Sequence, residues 1–261
     1  MSVNPGFEII GGIGAFMFVL VPVLMVGMIG FGIYAAVKSY QQAKLRQAAI
    51  AATVAANHLG HLAEDPARTK YFESSPFGIG DNRRARDIVW GTFAGRPFET
   101  FAYSYETHTT DSEGRRSTTT HHYQITWVPL PGPLPTMRFM SDNALFRAFS
   151  KMGARDLDVE SHEFNQRWKV VCDDERVGHA ILTPRMIERF LQPDVGGRAF
   201  AFEGSALVSA SQQVSDLGDL QLVVGALNSI VDLVPPFLFA GGSGNPGGSG
   251  GQTEGLGEPV Q

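Results

Sequence analysis

The chain has 261 residues, a formal net charge of −5 and 43% hydrophobic residues, which leaves room for one domain of ordinary size beside an apolar leader and a glycine-rich tail. Its single cysteine, Cys172, excludes an internal disulfide framework and every multi-cysteine zinc or iron–sulfur pattern. From Asp87 to Ala240 thirteen basic and nineteen acidic residues give a net of −6, which argues against nucleic acid, whose phosphates are neutralised by Lys and Arg.

Residues 1–8 form a short leader without Lys or Arg, so the basic n-region of a secretory signal peptide is missing. From Ile9 to Val37 there are 29 residues without a charge, enough at ~1.5 Å per residue to cross ~30 Å of hydrocarbon with tilt to spare. Residues 9–37 are therefore expected to be a transmembrane helix kinked near Pro22. Gly32 and Ala36 form one small-xxx-small pair that would let a second helix approach, so homo-oligomerisation stays open. Lys38, Lys44 and Arg46 follow the span and predict a cytoplasmic domain.

Residues 38–70 read as a juxtamembrane helical stalk, Ala- and Gln-rich and without proline from Tyr34 to Leu62, ending near Gly60 and Pro66. Lys38 to Arg86 holds eight basic and four acidic residues, a net of +4, so the positive part of the chain lies nearest the span. Residues 71–240 are expected to form the globular domain.

Ile88 to Phe93, Phe98 to His108 and Thr118 to Val128 alternate with period two and predict three strands. Phe101, Tyr103 and Tyr105 share one face, as do Tyr123, Ile125 and Trp127, and Thr109 to Ser117 closes a hairpin. Four prolines in Pro129 to Pro135 are expected to end the strand and force an extended connection. Asn143 to Met152 reads as an amphipathic helix, and Arg167 to Cys172, Arg198 to Glu203 and Ala206 to Ala210 as further strands. Pro184 to Leu191 starts a helix with Thr183 as N-cap. Leu217 to Leu233 carries a helical stripe of Leu220, Val223, Val224, Leu227, Ile230 and Val231, continued by Val234, expected to dock on its own domain, with membrane contact and a second span as the alternatives. Residues 241–261 read as a disordered, flexible Gly/Ser-rich tail.

Few residues suggest chemistry. His121 and His122 are strand neighbours facing opposite ways, so only one of them could join His108 on the partner strand. His58 and His61, at i and i+3, are expected on one helical face of the stalk. Asp158, Glu160 and Glu163 could act as acid and base, with Ser161 and His162 adjacent, yet adjacent residues cannot make a nucleophile–base pair. Glu160 to Arg167 reads instead as the polar first turns of a short element. Asp173, Asp174 and Glu175 oppose a thiolate at Cys172. No catalytic, cofactor-binding or metal-binding residue is assigned, and no cofactor is expected.

The run Asp87-Ile-Val-Trp-Gly91, the run Glu160-Ser-His-Glu163-Phe164-Asn165, then Val170, Asp174, Ala180 and Ile181-Leu-Thr183-Pro184-Arg-Met186, and finally Ile230-Val-Asp232-Leu233 resemble a bacterial family of membrane-anchored domains of unknown function. The resemblance covers about Tyr71 to Pro235. It implies a recurring fold and brings no catalytic residue.

The expected architecture is α+β: an N-terminal transmembrane helix and helical stalk, then a mainly antiparallel sheet with a few packed helices. The expected role is a non-enzymatic interaction or scaffold domain at the cytoplasmic membrane face, held to the lipid bilayer through Ile9 to Val37 and meeting an unknown protein partner. The alternatives are a membrane-surface enzyme using Glu160, Glu163 or the hairpin histidines, and a lipid or surface sensor using the Leu217 to Val234 stripe.

Overall fold

The computed structural model describes residues 6–141, 157–212 and 214–240, with side chains from residue 24 to residue 239. The helix expected over Asn143 to Met152 and the tail from Gly241 lie outside the described residues. The chain clusters into two compact units, Met1–Ala56 and Asn57–Gln261.

The first unit is one helix, α1 (Gly6–Ala56). In its described part the apolar side chains Leu24, Met25, Val26, Met28, Ile29, Phe31, Ile33 and Tyr34 are all exposed. Among the described residues no helix is long and apolar enough to cross a membrane. The expected span lies only partly on residues with described side chains, since Leu24 to Val37 is 14 residues before Lys38 brings the first charge and residues 9–23 lie before it.

The expected stalk is corrected at its end. The helix stops at Ala56, and His58 adopts φ 51° in the left-handed region, which turns the chain into strand β1 (Gly60–Glu64) and then a 3-10 turn, Pro66–Lys70. A Cβ on Gly60 would strike the Trp90 ring across the pair, so a residue without a side chain is required there. The shared helical face of His58 and His61 therefore does not form: His61 sits on β1 opposite Val89.

The second unit holds, among the described residues, a six-stranded sheet in the order β1-β2-β3-β4-β5, with β6 also pairing β4, and every pairing is antiparallel. The strands are β2 (Asp81–Phe93), β3 (Arg96–Thr110), β4 (Arg116–Met140), β5 (Lys169–Cys172) and β6 (Arg198–Ser211). β2 and β3 are joined by Ala94 and Gly95 at φ 51° and 80°, a two-residue type I′ hairpin whose twist matches that of the strands. β2 extends earlier than its apolar pattern suggests. Asp87, at φ 50°, is the extra residue where pairing moves from Arg86↔Ala102 to Val89↔Thr100, and the bulge turns both Ala85 and Ile88 into the core.

Pro129 to Pro135 do not end the strand. β4 runs on to Met140, with β3 opposite Arg116 to Trp127 on one edge and β5 opposite Met137 to Met140 further along. Against β6 the pairing moves from Pro129↔Ala206 to Leu134↔Gly204, five residues along β4 for two along β6. The prolines, which cannot donate to a ladder, fall where that ladder is interrupted. The two β segments expected from Arg198 to Ala210 are one strand, and Arg167 belongs to the helix before β5.

One core lies under the hairpin face: Phe101, Tyr103, Tyr105, Tyr123 and Ile125 pack with Phe72, Phe77, Ile88 and Val208. A second aromatic group gathers at the far end of β4, where Phe139 stacks on Phe190 at 4.2 Å and Trp168, Phe164, Phe200 and Phe202 close around it. Helix α2 (His162–Arg167) supplies Phe164 and is capped by Trp168, α4 (Pro184–Phe190) supplies Phe190, and α3 (Glu175–Ile181) lies between them in the chain. Helix α5 (Leu220–Leu233) buries its stripe, Leu220, Val223, Val224, Leu227, Ile230 and Val231. It starts three residues later than its sequence pattern, because Leu217 takes φ 71°. The turn α6 (Phe237–Ala240) follows.

Candidate functional site

Many of the residues that carry the family resemblance are caps and core. Ser161 caps α2, its side chain accepting from Phe164 N, and Phe164 is fully buried. Asn165 brackets Val159, Nδ2 donating to its carbonyl at 2.6 Å and Oδ1 accepting from its N–H at 3.2 Å. Asp174 caps α3 by accepting from Arg176 N at 2.9 Å and Val177 N at 3.2 Å. Thr183 caps α4 by accepting from Met186 N at 3.3 Å, with Pro184 in the first turn and Met186 buried, as expected. These side chains satisfy the free N–H groups that every helix start leaves.

Asp158, Glu160 and Glu163 point into solvent, and His162 bonds Gln166 at 2.9 Å one turn along the same helix. Nothing brings Ser161 to His162, whose neighbour is occupied with the cap. Cys172 is half-buried and donates to Asp174 O at 3.0 Å. Burial pushes its thiol pKa up, and the charges of Asp173 and Asp174 add to that, so the acidity read from the sequence is the smaller part of the cause.

The hairpin histidines separate. His121 stands opposite Tyr105, stacks on that ring at 4.8 Å and bonds Thr107 Oγ1 at 2.9 Å. His122, opposite Ser104, shares a face with His108, four residues further along β3 and so roughly 13 Å away at ~3.3 Å per residue, too far for one metal. His108 bonds Thr118 Oγ1 at 2.9 Å. Among the described residues no group of three or more metal-ligating side chains gathers.

The polar cluster on the core face is one the sequence reading missed. Glu99 is buried, with Trp90 opposite it on β2 and Trp127 on β4. Its carboxylate accepts from Trp127 Nε1 at 3.2 Å and from Arg68 Nη2 at 3.0 Å. Arg68 also pairs with Asp65 and lies over the Tyr71 ring at 4.9 Å. The hydrogen bond to Glu99 leads the causes that raise the Arg68 pKa, so the guanidinium stays charged. The signal was present in the sequence: Glu99 is in phase with Phe101 and Tyr103, an acid on an inward position that needs a cation. Arg68 sits on a segment assigned to the stalk, so its partner could not be found.

Tyr103 and Tyr105 lie further along the same face of β3, in the hairpin core. Burial raises both phenol pKa values, with Arg83 opposing the shift at Tyr103 and a hydrogen bond to Tyr123 reinforcing it at Tyr105. Both rings are neutral packing groups near neutral pH.

Three concavities adjoin the sheet. A small apolar cavity of about 30 Å³ lies beneath the loop Phe72 to Phe77, against Phe139, Phe200 and Val208, and opens beside a cavity of about 170 Å³ lined by Tyr123, Arg198 and Ser75. The loop over it is pinned by Glu203, whose carboxylate accepts from Glu73 N and Ser74 N, and by Arg138 donating to Ser74 Oγ at 3.0 Å. A wider groove of about 380 Å³ runs between the β2–β3 turn, the prolines of β4 and the end of α5.

No family model matches the sequence. No curated protein matches it. Among solved structures it is similar to the crystal structure of the mycobacterial trehalose monomycolate transport factor A, TtfA, at 11% identity and a TM-score of 0.49, over 73% of this chain and 94% of that one.

Proposed function

We propose that the chain is a membrane-tethered, non-enzymatic interaction domain, inserted through Ile9 to Val37 with its sheet domain on the cytoplasmic side. The observation that carries this reading is the surface of α1. Its apolar side chains stand exposed all round the helix from Leu24 to Val37, Phe31 at 72%, and water is a poor solvent for such a surface. The 29-residue uncharged run and the basic side chains that follow it support the same reading and set the direction.

An interaction role is supported by how the domain uses its polar groups. Ser161, Asp174 and Thr183 of the signature close helix starts, and the acids and histidines that could act together do not meet. The burial of the α5 stripe in the domain's own core weighs against a lipid sensor built on it. The region from Tyr71 to Pro235 is read as one of the bacterial membrane-anchored domains whose signature it resembles.

The test is fractionation of the full chain with a reporter joined after Gly241. The expected outcome is a membrane pellet that resists alkaline extraction and a reporter active only in the cytoplasm. Release by alkali would sink the anchor, and a reporter active only outside would sink the orientation.

A further inference from the structure

The groove at the end of α5 holds a hydrogen-bond acceptor that no donor meets among the described residues. Its walls are Pro97, Pro129, Leu130 and Pro131, facing Arg96, Asn228 and Asp232. Asn228 is 7% exposed; its Nδ2 donates to Phe93 O at 3.2 Å, but its buried Oδ1 meets no donor among the described residues. A buried acceptor left without a donor is costly, and native structures rarely keep one without a ligand or water to meet it.

Asp232 lies one turn further along, in the last turn of α5, where no basic residue stands. A carboxylate there adds to the negative end of the helix dipole instead of opposing it. The cation in the groove, Arg96, is already engaged: it donates to Asn228 O at 3.1 Å and to Asp232 Oδ1 at 2.7 Å. Asp232 nevertheless keeps a side chain 66% exposed, with its second oxygen open to another donor. Helix α5 carries no Lys or Arg at all, and the chain from Asp87 to Ala240 has a net charge of −6 by its thirteen basic and nineteen acidic residues.

We propose that this groove is a docking site for a basic side chain, Arg or Lys, presented by a segment of a protein partner. The cation's N–H groups meet Asp232 and Asn228 Oδ1, and its aliphatic stem and flanking apolar residues lie along Leu130 and the three proline rings, as long cationic side chains do on apolar surface. The walls are stiff before binding, because prolines and a two-residue turn have little freedom left to lose. The assignment rests on reading the domain as an interaction module, and it does not depend on the membrane anchor.

The test uses the full chain in detergent, selectively labelled with ¹⁵N at Gly and Asn, titrated with a capped Gly-Arg-Gly peptide, its citrulline counterpart and a capped Leu-Arg-Leu peptide. The expected result is a saturable shift confined to Gly95 and Asn228, about tenfold weaker with citrulline, as befits a charge-assisted contact. The Leu-flanked peptide should bind more tightly than the Gly-flanked one. Asp232→Asn, at an exposed position, should leave the remaining resonances in place and weaken the arginine peptide to the citrulline level. Equal shifts from arginine and citrulline, or an unchanged affinity in Asp232→Asn, would overturn the site. Equal affinity of the two arginine peptides would reduce it to a free-cation subsite and overturn the protein partner. Because the readout is solution binding, a protein that failed membrane extraction could still pass, and the reverse.

Discussion

Asn165 holds Val159 by both of its main-chain groups, donating to the carbonyl and accepting from the N–H, as a neighbouring strand would. This fastens the chain entering α2 to the helix itself and sets Phe164 into the aromatic core. Asn165→Leu leaves both groups without partners at a half-buried site and should cost about 2 kcal/mol. Asn165→Asp keeps the acceptor but turns a carboxylate oxygen onto the Val159 carbonyl, and should cost at least as much. Thermal unfolding of the full chain in detergent reads both, and equal stability of Asn165→Leu and the parent would refute the clamp.

Glu99 offers a second test. Glu99→Gln weakens its grip on Arg68, whose buried Nε meets no acceptor among the described residues. The expected loss is about 2 kcal/mol, below the ~3–5 kcal/mol of a fully buried pair because Arg68 is partly exposed. Trp127 donates to the same carboxylate, so its fluorescence should shift before global unfolding. An unaltered Trp signal with unaltered stability would show the pair to be dispensable.

Arg189 meets both oxygens of Asp194, at 2.8 and 2.6 Å. These bonds hold the Asp194 carboxyl below its ordinary range. A depressed folded value means that the stabilisation is present above the unfolded value of ~3.9 and disappears as pH falls through the lower folded one. Asp194→Asn should cost about 1 kcal/mol at neutral pH, discounted for partial exposure, with the difference from the parent shrinking below about pH 4. A gap that persists at pH 2 would assign the effect to packing instead.

Ala94 is exposed in the left-handed region at the first position of the β2–β3 turn. A Cβ in that region is disfavoured, and Ala94→Gly or Ala94→Asn should stabilise the domain by about 0.5–1 kcal/mol. A fall in melting temperature for both variants would contradict the turn type.

For the anchor, Met28→Lys with Phe31→Lys places two charges on the apolar surface of α1, each costing about 3 kcal/mol in a bilayer. The double variant should leave the alkali-resistant membrane fraction. Retention there at the parent's level would mean that this part of α1 does not lie in lipid.

The hairpin was readable because Phe101, Tyr103, Tyr105, Tyr123 and Ile125 alternate cleanly, and α4 because Thr183 and Pro184 mark its start by mechanism. The first half of β2 was not, because Asp81-Asn-Arg-Arg-Ala-Arg-Asp87 offers one apolar inward residue, Ala85, and needs two bulges to lie flat. β1 was hidden by the helix-favouring composition before it: only the left-handed His58 and the Gly60–Trp90 contact, both tertiary effects, end the helix. Helix α3 has a readable cap in Asp174, but its seven residues are too few for a helical apolar pattern to announce it. The Arg96–Asp232 and Arg68–Glu99 pairs join residues 136 and 31 positions apart, beyond the reach of local spacing.

The long strand β4 has its partners on both sides of it in the chain. β3 is complete before β4 is made, whereas β6 begins at Arg198, well after Met140. During synthesis the half of β4 that will face β6 therefore waits as an open edge, and an open edge is a template for pairing with other chains. Four prolines at alternate positions from Pro129 to Pro135 remove four donors from that stretch, where any strand laid across it would find gaps. The irregular ladder of the finished sheet is thus also a guard on the unfinished one: replacing the prolines with threonines would regularise a ribbon at the cost of aggregation while the chain is still growing.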